Sequence, residues 1–318
     1  MKPMLPSQLS SGDVIADRRA DYAKMLAESG EPQSAAELME QALELVPRWA
    51  AGWFTLATYR EKAGDTPGAI AALNEVLALD AGDVFGARLK LAVLGGADMP
   101  DRPPSLYVER LFDDYADRFE TSLVEKLSYS VPGKLAALIA ETADIPKHFR
   151  LAVDLGCGTG LLGPEIRARV DRLEGYDLSK GMLAKAADKN VYDHLGQADL
   201  SVEPDLSGVF DAGFATGRAD LITAADVLMY LGNLQDVMVI VRELSADGAV
   251  FAFSIEDAQQ QAEGYVLRDS LRFAHSEAYV REILADHGFA VQDLARSVIR
   301  MDGGKPVHGI LFITRKSA

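Results

Sequence analysis

An α/β fold with a mostly parallel sheet, preceded by a small all-helical unit, is what this 318-residue sequence predicts. Three observations carry that expectation. From Leu151 onward, short apolar runs alternate with helix-period segments, the pattern of strands joined by crossover helices. Within the first of those runs, the stretch from Ala152 to Gly160 passes directly from an apolar strand into alternating glycines. The first hundred residues, by contrast, repeat with a fixed helical period and contain no strand pattern.

The repeat is visible residue by residue. Gly30 and Gly64 are 34 positions apart, as are Ala23 and Ala57, Ala35 and Ala69, and Ala42 and Val76. Small residues at these places let paired helices approach closely, with the glycines at the turns between them. The segment from Trp53 to Asp80 resembles a tetratricopeptide repeat, with Trp53, Leu56, Gly64, Ala69 and Leu77 at the helix A, turn and helix B positions. An earlier, weaker copy ends at Pro47, and a truncated unit from Asp83 to Leu94 would close the stack. The resemblance implies a small all-α tetratricopeptide-repeat domain over residues 1–103. Two repeats and a cap fall below the three or so that free-standing arrays need. The domain is therefore expected to lean on the rest of the chain, on a second copy in a homodimer, or on a protein partner.

Gly95 to Pro104 is rich in glycine and proline and reads as a linker. A helical connector is expected over 104–146, where Leu111, Tyr115, Phe119 and Leu123 recur at every fourth residue. Tyr107 and Phe112 add to an aromatic face. The 147–318 domain follows, with expected strands at 151–156, 173–178, 194–200, 219–227 and 248–255. Expected helices lie near 161–169, 180–188, 233–244 and 276–286. The final pair of runs, divided by Asp302-Gly303-Gly304, predicts an antiparallel hairpin at the sheet edge.

The decisive stretch is Asp154-Leu155-Gly156-Cys157-Gly158-Thr159-Gly160. Glycines there admit a ligand close to the backbone, and a helix opening at once would direct free N–H groups at it. The spacing separates two cofactors. The dinucleotide fingerprint is G-x-G-x-x-G, but here the glycines run G-x-G-x-G and Leu161 stands in place of the third dinucleotide glycine. Asp154, directly before the loop, also suits a cationic amino-acid moiety better than a pyrophosphate.

As it stands, this stretch is similar to motif I of the class I methyltransferases, and the likeness extends over roughly residues 105–318. It implies the Rossmann-like sheet of that class, with S-adenosyl-L-methionine as cofactor and S-adenosyl-L-homocysteine as product. The cofactor residues implied by the resemblance begin with Asp154, Gly156, Cys157, Gly158, Thr159 and Gly160. Asp177, 17 residues past Gly160, matches the acid that grips both ribose hydroxyls. Leu178 and Met182 fall where the adenine is lined, Asp199 and Leu200 at the adenine amino group, and Ala225 in the loop that closes over the methionine end. The aromatic helix resembles the lid of small-molecule methyltransferases, which would set Tyr115 and Phe119 against the sulfonium. Plain core packing of that helix on the sheet is the other reading.

Methyl transfer from a sulfonium is an in-line displacement that needs alignment and water exclusion more than acid–base power. Where the acceptor must lose a proton, the candidate catalytic groups are Asp226, Tyr230 and His275, with Tyr265, Arg268 and Arg272 as acceptor-binding groups. His275 precedes Ser276, an expected helix N-cap, which would lower the imidazole pKa. The other histidines share no spacing and there is a single cysteine, so no metal site and no intrachain disulfide is expected.

The formal charge is −16, and such a surface repels phosphate backbones and anionic headgroups. Neither nucleic acid nor membrane is an expected partner. No run approaches the roughly 18 apolar residues of a membrane span, and the N-terminus lacks a signal-peptide core, which predicts a cytoplasmic protein. Three functions fit the sequence. A small-molecule methyltransferase is favoured. A protein methyltransferase recruiting its substrate through the repeats, and a non-catalytic cofactor-binding adaptor, are the alternatives.

Overall fold

The computed structural model describes residues 10–116, 129–259 and 263–317, and the chain divides into two units after Arg110. The first unit is a run of helices: α1 (Val14–Glu28), α2 (Pro32–Leu45), α3 (Ala50–Lys62), α4 (Thr66–Leu79) and α5 (Ala87–Val93). Each packs on the next. Asp13 caps α1 by accepting the N–H groups of Ile15 and Ala16, and Asp65 caps α4 through Gly68. Proline stands in the first turn of α2 and of α4, where its missing N–H costs nothing. Ala23, Ala35, Ala57 and Ala69, the residues that repeat in the sequence, are all fully buried between helices. Helix α6 (Ser105–Tyr115) crosses into the second unit.

The second unit is built on seven strands: β1 (Phe149–Leu155), β2 (Val170–Asp177), β3 (His194–Gln197), β4 (Ala219–Ala224), β5 (Ser245–Glu256), β8 (Phe289–Asp302) and β9 (Lys305–Lys316). Their order across the sheet is β3-β2-β1-β4-β5-β9-β8. The first five pair in parallel, while β9 runs antiparallel to both β5 and β8. A two-stranded ribbon, β6 (Tyr265–Leu267) with β7 (Phe273–His275), lies outside the sheet. The helices are α7 (Val131–Glu141), α8 (Gly163–Ile166), α9 (Lys180–Asp188), α10 (Gln235–Leu244) and α11 (Glu277–Asp286).

Both faces of the central strands are covered, so their sequences are continuously apolar rather than alternating. Val153, Ile222, Phe251, Phe253 and Phe312 face α10 and α11, with the Phe251–Phe253 and Phe253–Phe312 rings stacked at 4.5 and 5.1 Å. Ala152, Leu221, Val250 and Leu311 share the opposite core with α7 residues Leu135 and Ile139. Among the described residues no helix is long and apolar enough to cross a membrane.

The C-terminal hairpin forms at the sheet edge as expected and turns at Gly303-Gly304, with β8 outermost and β9 between β5 and β8. The cause is in the residues. Ile310 to Thr314 in β9 are all buried, whereas β8 alternates between exposed and half-buried positions over most of its length. The helix expected over 161–169 is a four-residue α8 followed by a 3₁₀ turn at Arg167–Arg169.

Candidate functional site

Strand order reverses between β1 and β4, and in open α/β sheets ligands bind beyond the carboxyl ends of strands at such a switch point. The glycine loop leaves β1 there. Gly156, Gly158 and Gly160 all have positive φ, at 65°, 56° and 81°. At Gly156 the requirement is doubled, because a Cβ would lie 2.4 Å from Cγ2 of Val227 in the loop after β4. At Gly158 a Cβ would meet nothing within 4 Å, so this glycine faces open space. The N–H of Cys157 donates to the Tyr176 carbonyl at 2.9 Å, and that of Gly160 to the Cys157 carbonyl at 2.8 Å, which fixes the curl of the loop.

Asp177 stands at the end of β2 and locks the loop from the adjacent strand. Its Oδ2 accepts the N–H of Gly158 at 2.8 Å and its Oδ1 that of Ser179 at 2.9 Å. Burial raises its pKa to about 6, against the opposing effect of those N–H groups. Ser179 caps α9 by accepting the N–H of Met182 at 3.0 Å, and Asp113, near the end of α6, accepts the Ser179 hydroxyl at 2.6 Å and the Gly181 N–H at 2.9 Å. Met182 is fully buried beneath this cap and Leu178 is half-buried. Beyond β3, Asp199 Oδ1 accepts both the N–H and the hydroxyl of Ser201, and Leu200 packs on the core.

Asp154 is buried at the end of β1. Thr223, its register partner on β4, donates to Oδ1 at 2.8 Å, and Tyr192 donates to Oδ2 at 2.7 Å. Burial raises this carboxyl to about pH 6 as well, partly offset by the two hydroxyl donors.

The far side of the switch point is built from the loop after β4. Ala225 is half-buried, and Asp226 takes a left-handed φ of 61° while its N–H donates to Ser254 Oγ at 2.8 Å. Burial raises the Asp226 carboxyl, and Arg300 Nη1 lies 3.0 and 3.1 Å from its two oxygens. Arg300 also bonds Glu256. Tyr230 accepts Arg272 Nε at 3.2 Å and meets Phe112 edge-on at 5.0 Å. Tyr129, ahead of α7, has its phenol pushed well up by burial and then by the Asp226 charge.

His275 is fully buried in β7, with Nε2 at 3.0 Å from the Gly232 carbonyl and its ring against Tyr265 and Tyr279. Its pKa is lowered to about 4, and the cause is burial. Ser276 does cap α11 through Tyr279. Arg268 donates to the Asp257 carbonyl at 2.7 Å, and Arg272 also reaches Asp302 at 3.2 Å. Tyr115 ends α6 and is half-buried; Phe119 lies outside the described residues.

The loop, Asp154 and Asp177 thus lie together on one side of the switch point, with Asp226, Tyr230 and Arg272 on the other. Tyr192, Thr223, Asp113, Arg300 and Tyr129 went unread in the sequence. Of these, only Asp113 had a local signal, as an acid in the aromatic connector.

The cradle suits S-adenosylmethionine. Gly158 leaves a side-chain-sized space above the loop, and the Thr159 hydroxyl is buried without a hydrogen-bond partner among the described residues. Each oxygen of Asp177 retains a lone pair for a ribose hydroxyl after its N–H contact. There is little helix dipole in a four-residue α8, and the N–H groups of Cys157, Gly158 and Gly160 are already bonded within the protein, so the Thr159 hydroxyl is the buried polar group the loop offers a ligand.

The chain resembles known proteins in sequence and in fold. A family described as a methyltransferase domain matches residues 127–294. Human methyltransferase-like protein 27 is 33% identical over 122 residues, covering 37% of this chain and 48% of its own. The malonyl-[acyl-carrier protein] O-methyltransferase of Enterobacter lignolyticus is 26% identical over 139 residues, or 44% of this chain and 51% of its own. The chain thus spans about half the length of the curated relatives it matches. Among solved structures, the [4+2]-cyclase SpnF superposes with a TM-score of 0.52 at 15% identity, covering 68% of this chain and 98% of that one. A methyltransferase complex with the Haloferax volcanii activator Trm112 gives 0.50 at 15% identity, covering 65% and 98%. These superpositions establish the fold; the family match spans more than half of the sequence, and the chain belongs to the S-adenosylmethionine-dependent methyltransferases.

Proposed function

We propose that this protein transfers a methyl group from S-adenosylmethionine to a small-molecule acceptor by direct in-line displacement. One observation carries the small-molecule reading. The segment Leu111–Ala116 touches both sides of the switch point, with Asp113 bonded to Ser179 and Gly181 on the cofactor side and Phe112 against Tyr230 on the other. A roof held at both ends favours a modest acceptor over an extended chain. The names of the 25–26% identical relatives, malonyl-[acyl-carrier protein] O-methyltransferases, support an oxygen as the attacking atom.

Bound S-adenosylmethionine supplies an activated methyl group on a sulfonium. The chain's own contribution is orientation: Asp177 for the ribose, the glycine loop with Thr159 and the Asp154 charge for the methionine end, Leu178, Met182, Asp199 and Leu200 for the adenine, Ala225 beside the methionine, and Tyr115 for water exclusion. Asp226 and Tyr230 are assigned as a base or an acceptor contact, with Tyr265, Arg268 and Arg272 as contacts for an anionic acceptor. His275, buried with a depressed pKa, serves best by holding the Gly232 carbonyl.

Residues 1–103 are read as tetratricopeptide repeats, 104–146 as connector and 147–318 as the cofactor domain of a cytoplasmic enzyme. A protein acceptor is the second reading. It is favoured by the exposed apolar side chains Ile15, Tyr22 and Met25 on α1, a surface open to a partner. The discriminating experiment supplies methyl-labelled cofactor and purified protein to a lysate depleted of endogenous S-adenosylmethionine. Label among small molecules is expected. Label on protein would overturn the small-molecule reading, and cofactor binding with no transfer would leave an adaptor.

A further inference from the structure

Three glycines, one each in the glycine loop, α8 and β2, share one neighbour. A Cβ on Gly160 would lie 2.9 Å from the Tyr192 ring, one on Gly163 2.9 Å, and one on Gly175 2.8 Å. Gly160 ends the cofactor loop, Gly163 begins α8, and Gly175 is the register partner of Asp154 on β2. The Tyr192 ring therefore occupies the volume that three side chains would otherwise fill. Its hydroxyl donates to Asp154 at 2.7 Å.

The ring is held in place by its chain neighbour. The N–H of Asp193 donates to the Leu173 carbonyl at 2.8 Å, while its Oδ2 accepts the Leu173 N–H and Arg167 Nη1, both at 2.7 Å. Residue 192 is thus clamped to β2 through backbone and side chain together.

We propose that Tyr192 is a positioning residue of the cofactor site, its ring forming the floor of the glycine loop and its hydroxyl holding Asp154. The assignment rests on the S-adenosylmethionine reading and names a residue through which that site keeps its shape. Facing Asp154 are Tyr192, Thr223 of β4, Asp177 of β2, Cys157 of the loop and Tyr129 ahead of α7. Of these, Tyr192 and Thr223 donate to it and favour its ionised form, Asp177 disfavours it by like charge, and of the two donors Tyr192 also packs against the loop.

The test is titration calorimetry of S-adenosylhomocysteine against the full chain and its Y192F, Y192L, D154N and Y192F/D154N variants, each with a thermal melt. Y192F is expected to weaken binding about tenfold and to move the acid limb of binding to higher pH, because a donor to the carboxylate is gone. Y192L, which also removes the floor, should weaken it by a further order of magnitude. The double variant should bind no worse than D154N, since the Tyr192 hydroxyl acts by favouring the Asp154 charge that D154N has already removed. Wild-type affinity and an unmoved acid limb in a folded Y192F would overturn the assignment, as would fully additive losses in the double variant. A wild-type chain that binds no S-adenosylhomocysteine would instead overturn the cofactor reading, and the assignment with it.

Discussion

Arg300 lies on β8, separated from β4 by β9 and β5, yet its Nη1 sits 3.0 and 3.1 Å from the two carboxylate oxygens of Asp226 in the loop after β4. The same guanidinium bonds Glu256 at the end of β5. Both Arg300 and Glu256 are buried, so two acids and one base are held beyond the end of β4 with little water to screen them.

Removing the base should therefore be costly. Arg300→Leu leaves Asp226 and Glu256 without their shared cation, and a loss of about 3–5 kcal/mol is expected. Urea denaturation checks this; a loss below about 1 kcal/mol would mean that the two carboxylates find other partners or protonate without penalty.

Two glycines of one loop should respond differently to alanine. G156A adds a methyl group 2.4 Å from Val227 at a φ of 65°, and steric and backbone costs together suggest about 2–5 kcal/mol. G158A meets no neighbour and should cost only the left-handed penalty, about 1–2 kcal/mol, while narrowing the cofactor cradle. Thermal melts should rank G156A below G158A, and G158A should lose S-adenosylhomocysteine affinity despite remaining folded.

The buried carboxyl of Asp154 gives a pH signature. Its pKa rises from 3.8 to about 6 on folding, so its contribution to stability is fully present below about pH 4 and is lost as the pH rises through 6. Both partners are hydroxyls that can reverse their donor role, so D154N can keep both hydrogen bonds without burying a charge. The stability of cofactor-free D154N relative to wild type should grow across that window by about 3 kcal/mol, taking about 2 units at 1.36 kcal/mol each. A difference that is flat between pH 4 and 7 would contradict this.

What the sequence made legible was whatever lies contiguously along the chain. Asp154 to Gly160 is one strand end and its loop, and Asp177 stands at a countable distance after it. The helix at 180–188 is found at those residues because Ser179 is a local cap. Residues brought together by sheet order were not legible. Thr223 meets Asp154 only because β4 pairs with β1, and Tyr192 reaches it only across β2. Arg300 reads in sequence as one more polar position on an alternating strand. The interior place of β9 did have a signal, the unbroken apolar run Gly309–Ile313, which a strand covered on both faces requires. The three-residue strands β6 and β7 are too short for any periodicity to reveal.

The central claim is that the cradle formed by Gly156–Gly160 and Asp177 holds S-adenosylmethionine. Titration calorimetry of S-adenosylhomocysteine, run beside NAD on the wild-type chain and on folded D177A and G158R, tests it most directly. The account predicts saturable binding of S-adenosylhomocysteine to wild type, none to either variant, and none of NAD to any of them. Unchanged binding to both folded variants, or NAD binding in place of S-adenosylhomocysteine, would contradict it.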